Sequence, residues 1–106
     1  MVAEMTPAEF VSRREAGEDL VLLDVREPQE LAVASLPGVV HIPMAEVPAR
    51  LDELDRSREI VVLCRSGGRS LQVAHYLQGQ GFARVANLSG GILRWARELD
   101  PSIPAY

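Results

Sequence analysis

The chain contains no lysine: all eleven of its basic side chains are arginine. That removes a Schiff-base lysine and the lysine of a Walker phosphate loop from the candidate chemistries. Cysteine is nearly missing too. Cys64 is the single thiol, so no intramolecular disulfide can form and no secreted disulfide framework is present. The only histidines, His41 and His75, stand far from Cys64 in sequence, which leaves a zinc site without its usual ligand spacing. Basic excess is also lacking. The formal net charge is -4, which offers no electrostatic footprint for nucleic acid or an anionic membrane. No apolar run approaches the roughly 20 residues a membrane span needs. The opening residues MVAEMTPAEF carry acids and neither a basic nor an apolar signal region, so a cytoplasmic location is expected. Repeats, linkers and low-complexity segments are missing.

What is present is ordinary globular material, 47% apolar and 25% charged, with residues 1–106 expected to form one domain. Roughly two-thirds of the unfolded surface should be buried at this length, enough for a core without staples. Short apolar runs alternate with amphipathic stretches. Thr6-Pro7-Ala8-Glu9 reads as a capping box with proline at the first helical position, opening a helix to about Glu15, with Gly17 as its stop. Leu20 to Val25 reads as a strand buried on both faces. Glu27 to Ala34 fits a short helix, and Val39 to Ile42 a strand closed by Pro43. Glu46 to Leu54 carries Val47, Leu51 and Leu54 at helical spacing, with Pro48 tolerable only in a first turn. Glu59 to Leu63 predicts a third buried strand, Arg69 to Gln80 a helix capped by Gly81, Ala83 to Ala86 a fourth strand, and Ile92 to Leu99 a last helix. Such alternation implies an α/β domain with a mainly parallel central sheet. Ligands of such sheets bind beyond the carboxyl ends of the strands, where Cys64 lies and near which Asp24 lies.

The stretch VVLCRSGGRS, residues 61–70, sets the one thiol where an apolar strand gives way to a glycine-rich loop. A turn of this kind between a strand and a helix can aim several backbone N–H groups inward as an anion nest. The helix that follows adds its positive N-terminal end. A cysteine there should have a depressed pKa and act as a thiolate nucleophile without a general base. Gly67 and Gly68 allow positive φ and close backbone approach, Ser66 adds a hydroxyl, and Arg65 and Arg69 add charge and forked donors. The plainer reading of a lone cysteine is a buried hydrophobe, and the loop around Cys64 argues against it. His41 reads as a structural strand-end residue, His75 as a surface helix residue and Trp95 as packing. Asp24 is a potential base, but a carboxylate at a strand end more often accepts loop amides.

Three blocks, LLDVREPQEL at 22–31, LCRSGGRS at 63–70 and NLSGGILRW at 87–95, make the chain resemble a single-domain rhodanese of the thiosulfate sulfurtransferase type. Together they span nearly its whole length. In one place it departs: where many members carry G-H-I-P-G-A, this chain reads Ala34-Ser35-Leu36-Pro37-Gly38-Val39, keeping the turn and losing the histidine. The resemblance implies a mainly parallel sheet of four to five strands with helices on both faces. It also implies a persulfide cycle, in which Cys64 takes a sulfane sulfur from thiosulfate or from a protein or small-molecule persulfide and passes it to cyanide or a thiol. The donor would be bound by Arg65, Ser66, Gly67, Gly68 and Arg69, whether by the arginine side chains or by the loop amides alone. Asp24 and Arg26 would hold neighbouring loops. No metal or organic cofactor is called for, and a sulfur-relay protein is a candidate partner.

Two other classes stand beside it. A phosphatase or arsenate reductase of the related loop type needs C-x₅-R, with arginine six positions after the cysteine. Here Arg69 is fifth and Ser70 is sixth, a ring one residue short for a tetrahedral oxyanion. A catalytically silent regulatory binding module is the other. Such domains usually lose the cysteine that this loop keeps.

Overall fold

The computed structural model describes residues 1–106. Five strands, β1 (Ala3–Met5), β2 (Leu20–Asp24), β3 (Val40–His41), β4 (Glu59–Leu63) and β5 (Val85–Leu88), form one sheet in the order β1-β5-β4-β2-β3. Every neighbouring pair is parallel. Four α-helices, α1 (Pro7–Glu15), α2 (Pro28–Val33), α3 (Gly68–Gly79) and α4 (Gly91–Glu98), and a 3₁₀ segment at Met44–Glu53 make the crossovers.

The two central strands explain why their sequences read as unbroken apolar runs. Side chains alternate across a sheet, and here both faces are covered. Val21, Leu23, Ile60, Val62 and Cys64 enter one core with Val73, Ala74 and Leu77 of α3. Leu22, Val61 and Leu63 enter the other with Phe10 of α1 and Ile92 and Trp95 of α4. Phe10 and Trp95 meet with ring centroids 5.8 Å apart and a tilt of 55°, the offset geometry that aromatic quadrupoles favour. Thr6 caps α1 by accepting the Glu9 amide at 3.1 Å.

Several expectations are corrected. The edge strand β1 has three residues, too few to show a period-two pattern, and was not expected; it exists because Ala3 to Met5 pairs with β5. The segment expected as a helix at Glu46–Leu54 is a 3₁₀ run with Pro48 inside and a break at Arg50 (φ -121°, ψ 22°). Proline supplies no N–H to an α-helical ladder, so tighter turns take its place. Val47 and Leu54 are still buried, so the spacing located the apolar side correctly while misjudging the backbone. The fourth expected strand lies two residues later, at Val85–Leu88. In this arrangement the carboxyl ends of β2 and β4 deliver Asp24 and Cys64 to the same edge of the sheet.

Candidate active site

Cys64 follows the last residue of β4 and precedes α3 by a four-residue step. Its side chain is 1% exposed and belongs to the core on the α3 face. The sulfur therefore forms the floor of the loop, not its rim. Gly67, with φ +112°, caps α3 and turns its N–H onto Sγ at 3.1 Å. Only this glycine of the pair needs the left-handed region; Gly68 has an ordinary helical φ, and a Cβ there would touch nothing within 4 Å. The Ser70 hydroxyl lies 3.2 Å from Sγ. Burial pushes the Cys64 thiol up, but hydrogen bonds from the Ser70 hydroxyl and from the Ser70, Gly67 and Ser66 amides outweigh it. The net pKa falls below that of an ordinary thiol.

The loop's inward amides follow from what holds its carbonyls. The first turn of α4 donates the Ile92 amide to the Cys64 carbonyl at 2.9 Å and the Leu93 amide to the Arg65 carbonyl at 3.1 Å. Each bond satisfies one orphan amide at a helix start. With the Arg65 carbonyl turned outward to α4, the planar peptide leaves the Ser66 amide facing the sulfur. Gly91 makes this possible. It sits at φ +61°, and a Cβ on it would lie 2.5 Å from the Cys64 carbonyl oxygen.

The two loop arginines are both engaged. Arg69 grips Glu30 of α2 with both terminal nitrogens, at 2.7 and 2.9 Å. That fork, helped by the Glu27 amide and the Tyr106 hydroxyl, holds Glu30 down at about 2 despite burial. Arg65 donates to the Tyr106 backbone oxygen and lies over its ring, 5.2 Å from the centroid. Ser66 and Gly68 are exposed on the rim.

Behind the loop, Asp24 and Arg26 form an ion pair at 2.8 Å with both side chains fully buried. Arg26 also donates to the Ala34 carbonyl at 2.9 Å and the Tyr106 hydroxyl at 2.7 Å, and its own amide is bound by Asp24 at 3.0 Å. His41 donates from Nε2 to the Arg26 carbonyl at 2.7 Å. His75 is exposed on α3, and Trp95 is buried.

Sequence reasoning missed Glu30, Asn87, Glu4, Gly91 and Tyr106 as neighbours of this loop. Glu30, Asn87 and Gly91 fall inside blocks whose pattern stands out, but nothing local says what they touch. Glu4 and Tyr106 carry no such signal.

Comparison with known proteins agrees with this geometry. The family model described as Rhodanese-like domain matches residues 6–98. A protein of Allochromatium vinosum named sulfurtransferase is 42% identical over 103 residues, covering 97% of this chain and 96% of that protein. The Bacillus subtilis protein YtwF is 42% identical over 100 residues, covering 94% of this chain and 96% of its own. The crystal structure of a rhodanese-related protein from Thermoplasma volcanium superposes with a TM-score of 0.84 at 28% identity, over 98% of this chain and 99% of that one. The sheet, the loop between β4 and α3 and these relatives agree, and the chain belongs to the family of rhodanese-like domains.

Proposed function

We propose that the protein is a sulfurtransferase that carries sulfur as a Cys64 persulfide. The relatives' names and the rhodanese-like fold support sulfur transfer in general. The observation that carries the finer reading is the Cys64 sulfur held 3.1 Å from the Gly67 amide and 3.2 Å from the Ser70 hydroxyl at the start of α3. Those donors favour an anionic sulfur.

In the first half-reaction the Cys64 thiolate attacks the outer sulfur of thiosulfate. The new S–S bond forms as the old one breaks, and sulfite departs with the bonding pair. The product, Cys64-S-S⁻, places its charge on the outer sulfur, in reach of a cradle built from the amides at Arg65, Ser66, Gly67, Gly68 and Arg69. In the second half-reaction cyanide or a thiolate attacks that outer sulfur, and the Cys64 thiolate leaves. The same amide dipoles stabilise both anions, so the loop backbone needs no rearrangement between steps. A persulfide, small or protein-borne, can replace thiosulfate as donor by the same displacement. With Arg69 paired to Glu30 and Arg65 stacked on Tyr106, backbone amides carry most of the donor binding. Asp24 and Arg26 hold the neighbouring connections at Ala34 and Tyr106, and neither step calls for a metal or organic cofactor.

The test is intact mass after incubation with thiosulfate or, separately, glutathione persulfide, followed by cyanide. One added sulfur, lost to cyanide with release of thiocyanate and missing in Cys64→Ala, is the expected result. No added sulfur from either donor would overturn the reading. Loading by the persulfide alone would restrict the donor to that class.

A further inference from the structure

The Ser70 hydroxyl has one proton and two claimants for it. Asn87, on β5 and 3% exposed, sets its Oδ1 2.5 Å from Ser70 Oγ; the Cys64 sulfur lies 3.2 Å from the same oxygen. Ser70 itself is fully buried, so water cannot substitute for either partner.

The Asn87 amide cannot turn over to relieve the conflict. Its Nδ2 lies 3.2 Å from both carboxylate oxygens of Glu4 on β1 and 3.2 Å from the Gly67 carbonyl. All three are acceptors, so the nitrogen must face them. Oδ1, which can only accept, is thereby fixed toward Ser70. While Ser70 donates to Asn87, its oxygen can still accept the Cys64 S–H. A thiolate has no proton to give and needs donors. Drawing the Ser70 proton to sulfur leaves Oδ1 of Asn87 buried without a partner, which carries a free-energy cost.

We propose that Asn87, oriented by Glu4 and the Gly67 carbonyl, is a positioning residue that competes with the Cys64 sulfur for the Ser70 proton. The thiol rests with the chain Cys64 S–H to Ser70 to Asn87. The thiolate pulls the hydroxyl onto sulfur against Asn87. In the persulfide the charge moves to the outer sulfur, Sγ becomes a weak acceptor, and Ser70 returns to Asn87. The hydroxyl thus swings twice per cycle, and Asn87 opposes it in the thiolate state only. This rests on Cys64 as the sulfur carrier, but the competition itself is a property of the unloaded protein.

The charged groups about the sulfur are otherwise constant. They are Arg69 of α3 with its partner Glu30 of α2, Glu4 behind Asn87, the Asp24–Arg26 pair at the end of β2, and Arg65 over the Tyr106 ring. None is substituted in the test, a double-mutant cycle read by the pH dependence of Cys64 alkylation by iodoacetamide. The loss of the Asn87 partner by Glu4 is common to both Asn87 variants and cancels in the cycle. Alkylation needs no sulfur donor, so a chain that fails to load sulfur still reports on the competition. Asn87→Leu is expected to lower the Cys64 pKa by about one unit, a tenfold gain in thiolate at pH values below it. Ser70→Ala should raise the pKa about one unit more in the Asn87→Leu background than in the wild-type chain. Should the leucine variant fold poorly by circular dichroism, Asn87→Val removes the same acceptor with a side chain suited to a strand. Equal effects of Ser70→Ala in both backgrounds, or an unchanged or raised pKa on removing Asn87, would overturn the proposal. So would a rise of a full unit for Ser70→Ala in the wild-type chain alone, since the hydroxyl would then already be committed to sulfur.

Discussion

Gly91→Ala tests whether the first turn of α4 shapes the cysteine loop. The added Cβ would sit 2.5 Å from the Cys64 carbonyl oxygen and closer still to that of Arg65, where ordinary contact begins at 3.4 Å. Neither obstacle is a flexible side-chain end. The Cys64–Arg65 and Arg65–Ser66 peptides must both withdraw by about 1 Å, which is a forced backbone shift. Alanine held at φ +61° adds about 1–2 kcal/mol of left-handed strain. Loss of the Ile92-to-Cys64 and Leu93-to-Arg65 bonds, 2.9 and 3.1 Å, adds about 1 kcal/mol each. The expected destabilisation is therefore about 3–4 kcal/mol, a fall in Tm of roughly 12–30 °C for a domain near this size. Urea unfolding followed by Trp95 fluorescence gives the stability, and the rate of sulfur loading gives the loop. Loading should fall by about 100-fold, as a nucleophile misplaced by an ångström implies. Gly68→Ala is the control. Its Cβ meets nothing within 4 Å and its φ is ordinary, so stability should hold or rise by up to about 1 kcal/mol. If Gly91→Ala melts within a few degrees of the wild-type chain and loads sulfur at the same rate, α4 does not set the loop.

Three further outcomes follow from particular contacts. Arg26→Met leaves the Asp24 carboxylate buried without its cation, and should cost about 3–5 kcal/mol in chemical denaturation; the double change with Asp24→Leu should recover part of that, and equal losses would remove the pair from the account. Glu30 titrates at about 2 because Arg69 grips it, so it contributes stability above the ordinary carboxylate range and loses that contribution as pH falls toward 2; Glu30→Gln should flatten this part of the stability–pH profile, and an unchanged profile counts against the fork. Gly67→Ala forces alanine to φ +112° at a cost of about 1–3 kcal/mol; as the Gly67 amide drifts from sulfur the Cys64 pKa should rise, and an unchanged alkylation profile would show that this amide does not hold the thiolate.

What the sequence determined by itself is whatever depends on neighbours along the chain. Leu20–Asp24 and Glu59–Leu63 are legible as buried strands because a run apolar on both faces has to be covered twice. The loop is legible because strand, cysteine, glycines and helix start are consecutive, so the nest needs no distant partner. The helix cap at Thr6 and the stop at Gly17 are local for the same reason. At Met44–Glu53 the apolar spacing found the buried side, while Pro48 decided the winding, a competition that spacing does not report.

Tertiary structure alone decided what lies around the loop. Glu30 and Arg69 are 39 residues apart, Ser70 and Asn87 are 17 apart, and Glu4 and Asn87 are 83 apart. No periodicity encodes such pairs, because they depend on the sheet order that sets β1 beside β5, on α3 packing over β4 and β5, and on the approach of α2 to α3. Arg65 and Arg69 read in isolation as free cations for an anionic donor, and their partners, Tyr106 and Glu30, arrive from other elements. Cys64 reads as the residue where strand gives way to loop, yet its side chain follows Ile60 and Val62 into the core under α3, which carries its sulfur to the floor. The chemistry of the site is thus written in one continuous stretch, whereas its orientation and its proton bookkeeping depend on residues that only folding brings together.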